Sequence, residues 1–152
     1  MGPRPRAGDH RLTEQRHVTA AGLTWIGEAT ARLTAVAAGH GGATGARFVV
    51  FHAPVTEDAA APVEVCLPVD PGRVDAAAYP LRTEPAHRQA YVPVTRGNLE
   101  PPRILSVYDT VRRWARATGH RAAGAPREVY GYDPAGGGPV CDVALPVTSA
   151  TV

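Results

Sequence analysis

One segment of the chain occurs twice, and this repeat constrains the fold more than any other feature of the sequence. VEVCLPV at 63–69 matches CDVALPV at 141–147 as x-[E/D]-V-x-L-P-V, at an offset of 78 residues. RFVVFHAP at 47–54 matches REVYGYDP at 127–134 at an offset of 80, with Arg, Val and Pro aligned. A repeat of this length indicates that one supersecondary unit is used twice. The 152 residues are therefore predicted to form two copies of that unit.

Each copy has the pattern of a β-α-β-β unit. Apolar runs bounded by Gly, Pro and polar turns predict strands. In the second copy Ile104, Val111 and Ala115 recur at helical spacing, with arginines on the opposite side, which predicts a helix. The predicted strands are at 17–26, 46–53, 62–69, 75–85, 87–96, 127–134 and 141–147, and the predicted helices at 27–39 and 104–119.

Two such units in tandem predict an α+β fold in which an antiparallel sheet carries one helix per copy on one face. The folded domain is predicted to span residues 17–150. Residues 1–16 contain Pro, Gly and charge without an apolar period, so they are predicted to be a flexible tail. Cys66 and Cys141 have opposite parities in the repeat, so a disulfide between them is not expected.

Composition excludes several classes of function. All sixteen basic side chains are arginine, which rules out a Schiff-base lysine and a P-loop lysine. A formal net charge of +2, spread along the chain, argues against direct nucleic-acid binding. No apolar run reaches the ~20 residues of a membrane span, and no apolar segment of a signal peptide occurs. The protein is therefore predicted to be bacterial and cytoplasmic, without a membrane partner.

The sequence also lacks the patterns of metal and serine chemistry. Six histidines occur, but none in H-x-H or HExxH spacing, so no metal and no cofactor are predicted. Ser106 and Ser149 are the only serines, and neither lies in a G-x-S-x-G turn. A serine-hydrolase triad is therefore set aside.

One carboxylate stands out in a late strand. Glu128 occupies the position of Phe48 in the repeat, and by period-two parity it shares a face with Tyr130 and Tyr132. A carboxylate between two phenols suits a flat, apolar and often cationic ligand, because the rings give contact area and cation-π attraction while the carboxylate complements the charge. The alternative is a solvent-facing glutamate, with the tyrosines packed as ordinary strand residues.

Other aromatic residues complete the list of candidates. Tyr91 and Trp25 lie on strands that can approach the Glu128 face, although parity does not decide this across a sheet. Tyr108, on the apolar face of the second helix, either packs on the sheet or lines a cavity beneath it. The candidate catalytic residues are Glu128, as a general base, and Tyr91. The candidate ligand-binding residues are Trp25, Phe48, Tyr91, Tyr108, Tyr130 and Tyr132.

The duplicated unit, the Pro-Val strand ends, the helix YDTVRRWARATG and the strand PREVYGYDP together resemble the GyrI-like effector-binding family, over residues 17–148. This small-molecule domain also follows the DNA-binding segments of many MerR-type and AraC-type regulators. The resemblance implies a pseudo-symmetric pair of units around a central ligand groove. It also implies an acidic residue on the late strand facing the ligand, at the position of Glu128. Residues 1–16 leave no room for a helix-turn-helix, so a complete transcription regulator is not expected.

Free-standing members of this family fall into two classes. Some bind drug-like molecules or contact a protein target such as DNA gyrase. Others resemble hydrolases that open the cyclopropane of DNA-alkylating natural products, using a glutamate near aromatic side chains. The resemblance therefore implies a flat aromatic or cationic ligand and a role in antibiotic resistance or self-protection. Hydrolysis through Glu128, sequestration or effector sensing without chemistry, and action on gyrase remain open, as does the choice between monomer and homodimer.

Overall fold

A computed structural model describes residues 3–75, 77–100 and 103–149. Contacts within the chain divide it into two compact units. Gly8–Pro85 forms what we call the contiguous unit, and the described residues before and after it form what we call the split unit. Parts of three predictions lie outside the described residues. They are residues 1 and 2 of the predicted tail, residue 76 of the predicted strand at 75–85, and residue 150 of the predicted domain.

The elements follow one another along the chain as nine strands and three helices within the described residues. They are β1 (Arg4–Arg6), β2 (Asp9–Val18), a 3-10 turn (Ala20–Thr24), α1 (Trp25–Ala38), β3 (Arg47–Phe51), β4 (Ala61–Val69), β5 (Leu81–Glu84), β6 (His87–Val94), α2 (Arg96–Leu99), α3 (Arg103–Ala117), β7 (His120–Ala122), β8 (Arg127–Tyr130) and β9 (Cys141–Ser149).

The contiguous unit is an antiparallel sheet in the order β3-β4-β2-β5, with α1 packed on β2 and β4. The buried residues of α1 recur every four positions, which places them in one stripe along the helix. They are Trp25, Ala29, Leu33 and Ala37. Glu14 of β2 forms an ion pair with Arg32 of α1, so the even-numbered residues of β2 face the helix. The odd-numbered residues of β4 pair with these residues of β2 and therefore also face the helix. Glu64 is even-numbered, so it lies on the opposite face of the sheet.

The split unit repeats this arrangement in the order β1-β6-β9-β8, with β7 also paired to β9. Its α3 packs on β6, β7 and β9. Ile104, Val111 and Ala115 of α3 are buried in one hydrophobic core with the odd-numbered residues of β9. These residues are Cys141, Val143, Leu145 and Val147. The helix-facing side of this sheet is therefore the side of Val143, and Asp142 points to the other side.

The sheet of each unit is completed by a short strand that the chain connects to the other unit. In the chain β1 leads into β2, yet β1 pairs with β6; β5 leads into β6, yet β5 pairs with β2. The two pairings have the same register, because Arg4 faces Gln89 while Arg82 faces Arg11. Arg82 follows Arg4 by 78 residues, and Gln89 follows Arg11 by the same number. This is the offset of the repeat found near residue 63, so the repeat extends back to Arg4.

The prediction of an α+β fold with tandem antiparallel repeats is confirmed, and α3 matches the predicted helix at 104–119 closely. The prediction of a flexible tail over residues 1–16 is wrong, because Arg4–Arg6 and Asp9–Val18 form strands. The charged residues of β2 suggested a solvent-exposed tail, but the charge of Arg11 is buried and paired with two carboxylates inside the fold.

Two other predicted strands are also wrong in part. The predicted strand at 17–26 ends at Val18, and the segment then turns into α1 at Trp25. The predicted strand at 75–85 is reduced to Leu81–Glu84. No described helix combines the length and the apolar character needed to span a bilayer.

Candidate functional site

Glu128 is buried in the split unit and is held by two phenols. Only 8% of the residue is exposed. Tyr130 donates its hydroxyl to Glu128 Oε1 at 2.6 Å, and Tyr108 donates its hydroxyl to Glu128 Oε2 at 2.7 Å. Each carboxylate oxygen therefore accepts one hydrogen bond from a neutral donor.

The local sequence explains why these three groups meet. Glu128 faces Val143 in register, so its side chain lies on the side of the sheet that carries α3, and Tyr130 follows two residues later on the same side. Tyr108 lies on the same stripe of α3 as Ile104 and packs against the core. The prediction left open whether Tyr108 packs or lines a cavity. It packs on the sheet with its hydroxyl directed at Glu128.

Burial and the neighbouring negative charge of Glu128 raise the pKa of the Tyr108 hydroxyl far above its ordinary range. This phenol is protonated at neutral pH like other tyrosines, and the raised pKa keeps it a hydrogen-bond donor to Glu128 in alkaline solution as well. A carboxylate that accepts two such bonds keeps both oxygens in fixed positions.

Glu128 differs from the other buried carboxylates in its partners. The described buried acids are Glu64, Glu84, Glu128 and Asp142. Glu64 and Glu84 form ion pairs with Arg11, and Asp142 forms one with Arg4. Within the described part of the chain no arginine or histidine forms an ion pair with Glu128. Among these residues its carboxylate is stabilised by two hydrogen bonds from neutral donors and by no ion pair.

Tyr91 and Tyr132 do not join Glu128, contrary to the predicted site. Tyr91 faces Ala144 in register, which places it on the Asp142 side of the sheet. Tyr132 donates its hydroxyl to Asp142 Oδ1 at 2.6 Å. The strand parity that placed Tyr132 beside Glu128 fails because β8 ends at Tyr130. The predicted catalytic pair of Glu128 and Tyr91 is thus divided between two faces.

Tyr91 and Tyr132 instead belong to a group that we call the Asp142 cluster, together with Arg4 and Asp142. Arg4 Nη2 lies 2.6 Å from Asp142 Oδ2, and the Arg4 guanidinium carbon lies 3.6 Å from the centre of the Tyr91 ring. The hydrogen bond to Asp142 raises the pKa of Tyr132 to about 12. A cation therefore sits between an aromatic face and a buried carboxylate.

Trp25 and Phe48 lie in the contiguous unit, and both are buried. Phe48 pairs with Cys66, which is on the face of Glu64, and the Arg11 guanidinium lies 5.3 Å from its ring centre. The residue with the register of Glu128 is Val49, which faces Val65 as Glu128 faces Val143. The repeat alignment that matched Phe48 with Glu128 is therefore one residue out of register.

A second charged group, which we call the Glu64 cluster, is absent from the residues predicted for the site. Glu64 is fully buried and accepts hydrogen bonds from Thr13, from His52 at 2.9 Å and from Arg82 at 2.9 Å. Arg11 contacts it at 3.5 Å and also pairs with Glu84. Burial alone would raise the pKa of Glu64, but these hydrogen bonds and the two guanidinium charges lower it. The signal was available, since Glu64 and Asp142 are the acids of the repeated x-[E/D]-V-x-L-P-V motif.

The described residues contain no group of three or more His, Cys, Asp or Glu side chains that is arranged to hold a metal ion. Each of the two units contains a cavity. The cavity of the contiguous unit measures about 230 Å³ and lies between α1 and β2, where Leu12, Leu33 and Tyr79 line it. The cavity of the split unit measures about 380 Å³ and is lined by Val92, Arg103 and Val107 among others. Neither lining includes Glu128.

The fold of the chain is similar to that of several solved structures, of which three are described here. The first is EcmrR in a complex with DNA, with a TM-score of 0.71 and 16% identity over 97% of this chain and 57% of the EcmrR chain. The second is a hydrolase from Listeria innocua, with a TM-score of 0.62 and 14% identity over 96% of this chain and 91% of the hydrolase chain. The third is SAV2435 bound to tetraphenylphosphonium, with a TM-score of 0.64 and 10% identity over 97% of this chain and 93% of the SAV2435 chain. The chain thus spans little more than half of EcmrR. No protein-family model and no curated protein sequence matches it, so the likeness is one of fold.

Proposed function

We propose, from the premise that the chain has the GyrI-like fold of these structures, that it is a small-molecule-binding protein whose ligands are lipophilic aromatic cations held at Glu128. One observation carries the proposal: Glu128 is a buried carboxylate whose partners are two neutral phenols. A buried charge is costly unless an opposite charge accompanies it. A ligand cation would supply that charge.

The surroundings of Glu128 favour an aromatic cation over a metal ion or a small ammonium ion. Tyr108 and Tyr130 offer ring surface beside the carboxylate, which suits dispersion and cation-π contacts. Their hydroxyls already fill one acceptor position on each oxygen. A cation without hydrogen-bond donors would therefore lose little at this site. Tetraphenylphosphonium, which is bound to the structurally similar SAV2435, is a cation of this kind.

The biological role that fits such a site is protection against cationic aromatic antibiotics by sequestration. Binding alone lowers the free concentration of a toxic molecule, so this role requires no cofactor. Sensing of the same molecules as effectors, within a larger assembly, would use the same contacts. The binding experiment below tests the shared requirement for Glu128.

The test is calorimetric titration of the protein with tetraphenylphosphonium and with tetraphenylborate, which has the same shape and the opposite charge. We expect the wild type to bind the cation and not the anion, and Glu128→Gln to weaken cation binding at least about tenfold, which corresponds to ~1.4 kcal/mol.

Glu28→Gln is the matched control, because it makes the same change at an exposed position of α1 and should bind like the wild type. Equal binding by the wild type and Glu128→Gln, or equal binding of the two ions, would refute the proposed site.

Hydrolysis of a cyclopropane-bearing alkylating compound is the second candidate. It is favoured by the pairing of a buried carboxylate with a phenol that stays protonated. Glu128 would accept a proton from water as the water oxygen bonds to a ring carbon and the strained carbon–carbon bond breaks. The Tyr108 hydroxyl, which donates to Glu128 Oε2, would hold the carboxylate in position while its other oxygen takes the proton. The proton then returns to the released electron pair, so that water is added across the broken bond.

Mass analysis of a spirocyclopropane alkylator incubated with the protein separates the possibilities. Ring-opened product beyond one equivalent, lost in Glu128→Gln, would establish catalysis. One equivalent of product with labelled protein would indicate a sacrificial scavenger, and unchanged compound would leave binding alone. Inhibition of gyrase supercoiling that survives Glu128→Gln would indicate instead a protein-directed role.

A further inference from the structure

We propose that the Asp142 cluster is a second cation-binding site, filled by the chain's own Arg4, and that it takes planar amidinium or guanidinium ligands when Arg4 leaves. The site lies on the opposite side of the split unit's sheet from Glu128, since Asp142 and Val143 alternate along β9 and Glu128 faces Val143. The proposal therefore stands independently of the function proposed for Glu128.

The cluster has the parts of a cation site. Tyr91 presents its ring face at 3.6 Å from the guanidinium carbon, and Asp142 accepts from Arg4 Nη2 at 2.6 Å. Tyr132 holds the second oxygen of Asp142 at 2.6 Å, which fixes the carboxylate in place. An aromatic face combined with a buried, oriented carboxylate recognises a flat delocalised cation whether or not a chain bears it.

The matching position in the contiguous unit shows which feature makes the Asp142 cluster exchangeable. Glu64 has the register of Asp142, and Arg82 pairs with it as Arg4 pairs with Asp142. Glu64, however, also receives Arg11 and His52, so loss of one cation leaves others. The counterpart of Arg11 in the split unit is the neutral Gln89. Among the residues that the structure describes, Arg4 is the one cation that forms an ion pair with Asp142.

Arg4 is held in a way that allows it to leave. Its side chain is 40% exposed, whereas that of Asp142 is 8% exposed. It is carried by β1, a strand of three residues whose pairing within the split unit is with β6. Short edge strands open at low cost compared with strands inside a sheet. Release of β1 would uncover Tyr91 and leave the Asp142 carboxylate without its cation.

The test uses Arg4→Ala and the probe benzamidinium, a flat aromatic cation, with neutral benzamide as the control ligand. We expect Arg4→Ala to bind benzamidinium at least about tenfold more tightly than the wild type, and benzamide to bind neither protein. Arg16→Ala is the matched control, because it removes the same charge from an exposed position of β2 and should bind like the wild type. Equal affinity of Arg4→Ala and the wild type for benzamidinium would overturn the proposal.

Two further measurements assign the binding to this cluster. Tyr91→Leu introduced into Arg4→Ala should remove the gain, whereas Glu128→Gln in the same background should keep it. Because the charge of Arg4 acts to lower the pKa of Tyr132, that pKa should rise in Arg4→Ala and fall again when benzamidinium binds, as followed by NMR of labelled tyrosine. Benzamidinium binding that needs Glu128 but not Tyr91, or that leaves the Tyr132 titration unchanged, would contradict the proposal.

Discussion

The contiguous and split units have the same strand order and a helix on the same face, yet they use their buried acids differently. In the contiguous unit Glu64 is surrounded by Arg11, Arg82, His52 and Thr13, and its charge is balanced internally. In the split unit Asp142 has one half-exposed arginine and two tyrosines. Tyrosines thus take the place of some of the cations around the equivalent acid. On our proposal the Asp142 cluster can exchange its cation, whereas the Glu64 cluster keeps several.

The helix-facing sides of the two sheets differ in a second way. Val49 and Phe51 of the contiguous unit have the register of Glu128 and Tyr130 in the split unit. One unit therefore has two apolar side chains at the positions where the other holds a carboxylate and a phenol. The split unit therefore carries polar groups on both sides of its sheet, whereas the helix-facing side of the contiguous unit is an apolar core at these positions.

The largest effect is expected from giving the contiguous unit the acid of the split unit. Val49 is fully buried, and Phe51 lacks the hydroxyl that Tyr130 supplies to Glu128. Val49→Glu therefore buries a carboxyl group without the phenol donors and should lower the free energy of unfolding by about 4 kcal/mol or more.

Urea unfolding measures this effect, with Val49→Met as the apolar control of similar length. Glu128→Met, the reverse exchange, should cost no more than about 2 kcal/mol, because it removes a buried charge together with two hydrogen bonds. Equal losses in Val49→Glu and Glu128→Met would show that the two positions do not differ as described.

A smaller effect is expected from removing the cation that the Glu64 cluster shares. Arg11→Met leaves Glu64 and Glu84 buried with fewer positive neighbours, and should lower the free energy of unfolding by about 3 kcal/mol. At the register-equivalent position Gln89→Met should cost only about 1 kcal/mol, because a neutral side chain balances no charge there. Urea unfolding of the pair checks this, and the comparison fails if Gln89→Met costs as much as Arg11→Met.

The smallest effect is a pH dependence that arises from Glu64 of the contiguous unit. The pKa of Glu64 is lowered from its ordinary value of 4.5, so its ionised form stabilises the folded state at pH values above 4.5. That contribution is lost as the pH falls below 4.5 and through the lowered pKa.

Thermal unfolding of the wild type and Glu64→Gln should therefore differ by a constant amount near neutral pH and converge in acid. Glu28→Gln is the control and should parallel the wild type throughout. A difference that stays constant down to full protonation would remove Glu64 as the source.

Much of this fold follows from local sequence patterns. The x-[E/D]-V-x-L-P-V repeat placed β4 and β9, and helical spacing placed α3, because each pattern reports one element packed on one core. Strand parity correctly joined Glu128 with Tyr130, since both lie inside β8. Parity failed for Tyr132, which follows the end of that strand, and helical spacing placed Tyr108 on the apolar face without showing that its hydroxyl reaches Glu128.

The parts that could not be predicted depend on residues far apart in the chain. Arg11 looked like a tail residue because its partners, Glu64 and Glu84, become its neighbours only after β2 pairs with β4 and β5. The assignment of Phe48 failed for a different reason. A shift of one residue in a strand turns every side chain to the other face, and a turn before the strand can absorb that residue without a trace in the sequence.

The exchange of the short strands has a consequence for how the polypeptide is made. β1 is synthesised about eighty residues before the strand with which it pairs, whereas every strand of the contiguous unit finds its partner within Gly8–Pro85. During synthesis the contiguous unit is thus able to close its sheet first, while β1 waits unpaired with Arg4 exposed. The seating of Arg4 on Asp142 must then await the synthesis of β9, which supplies the carboxylate.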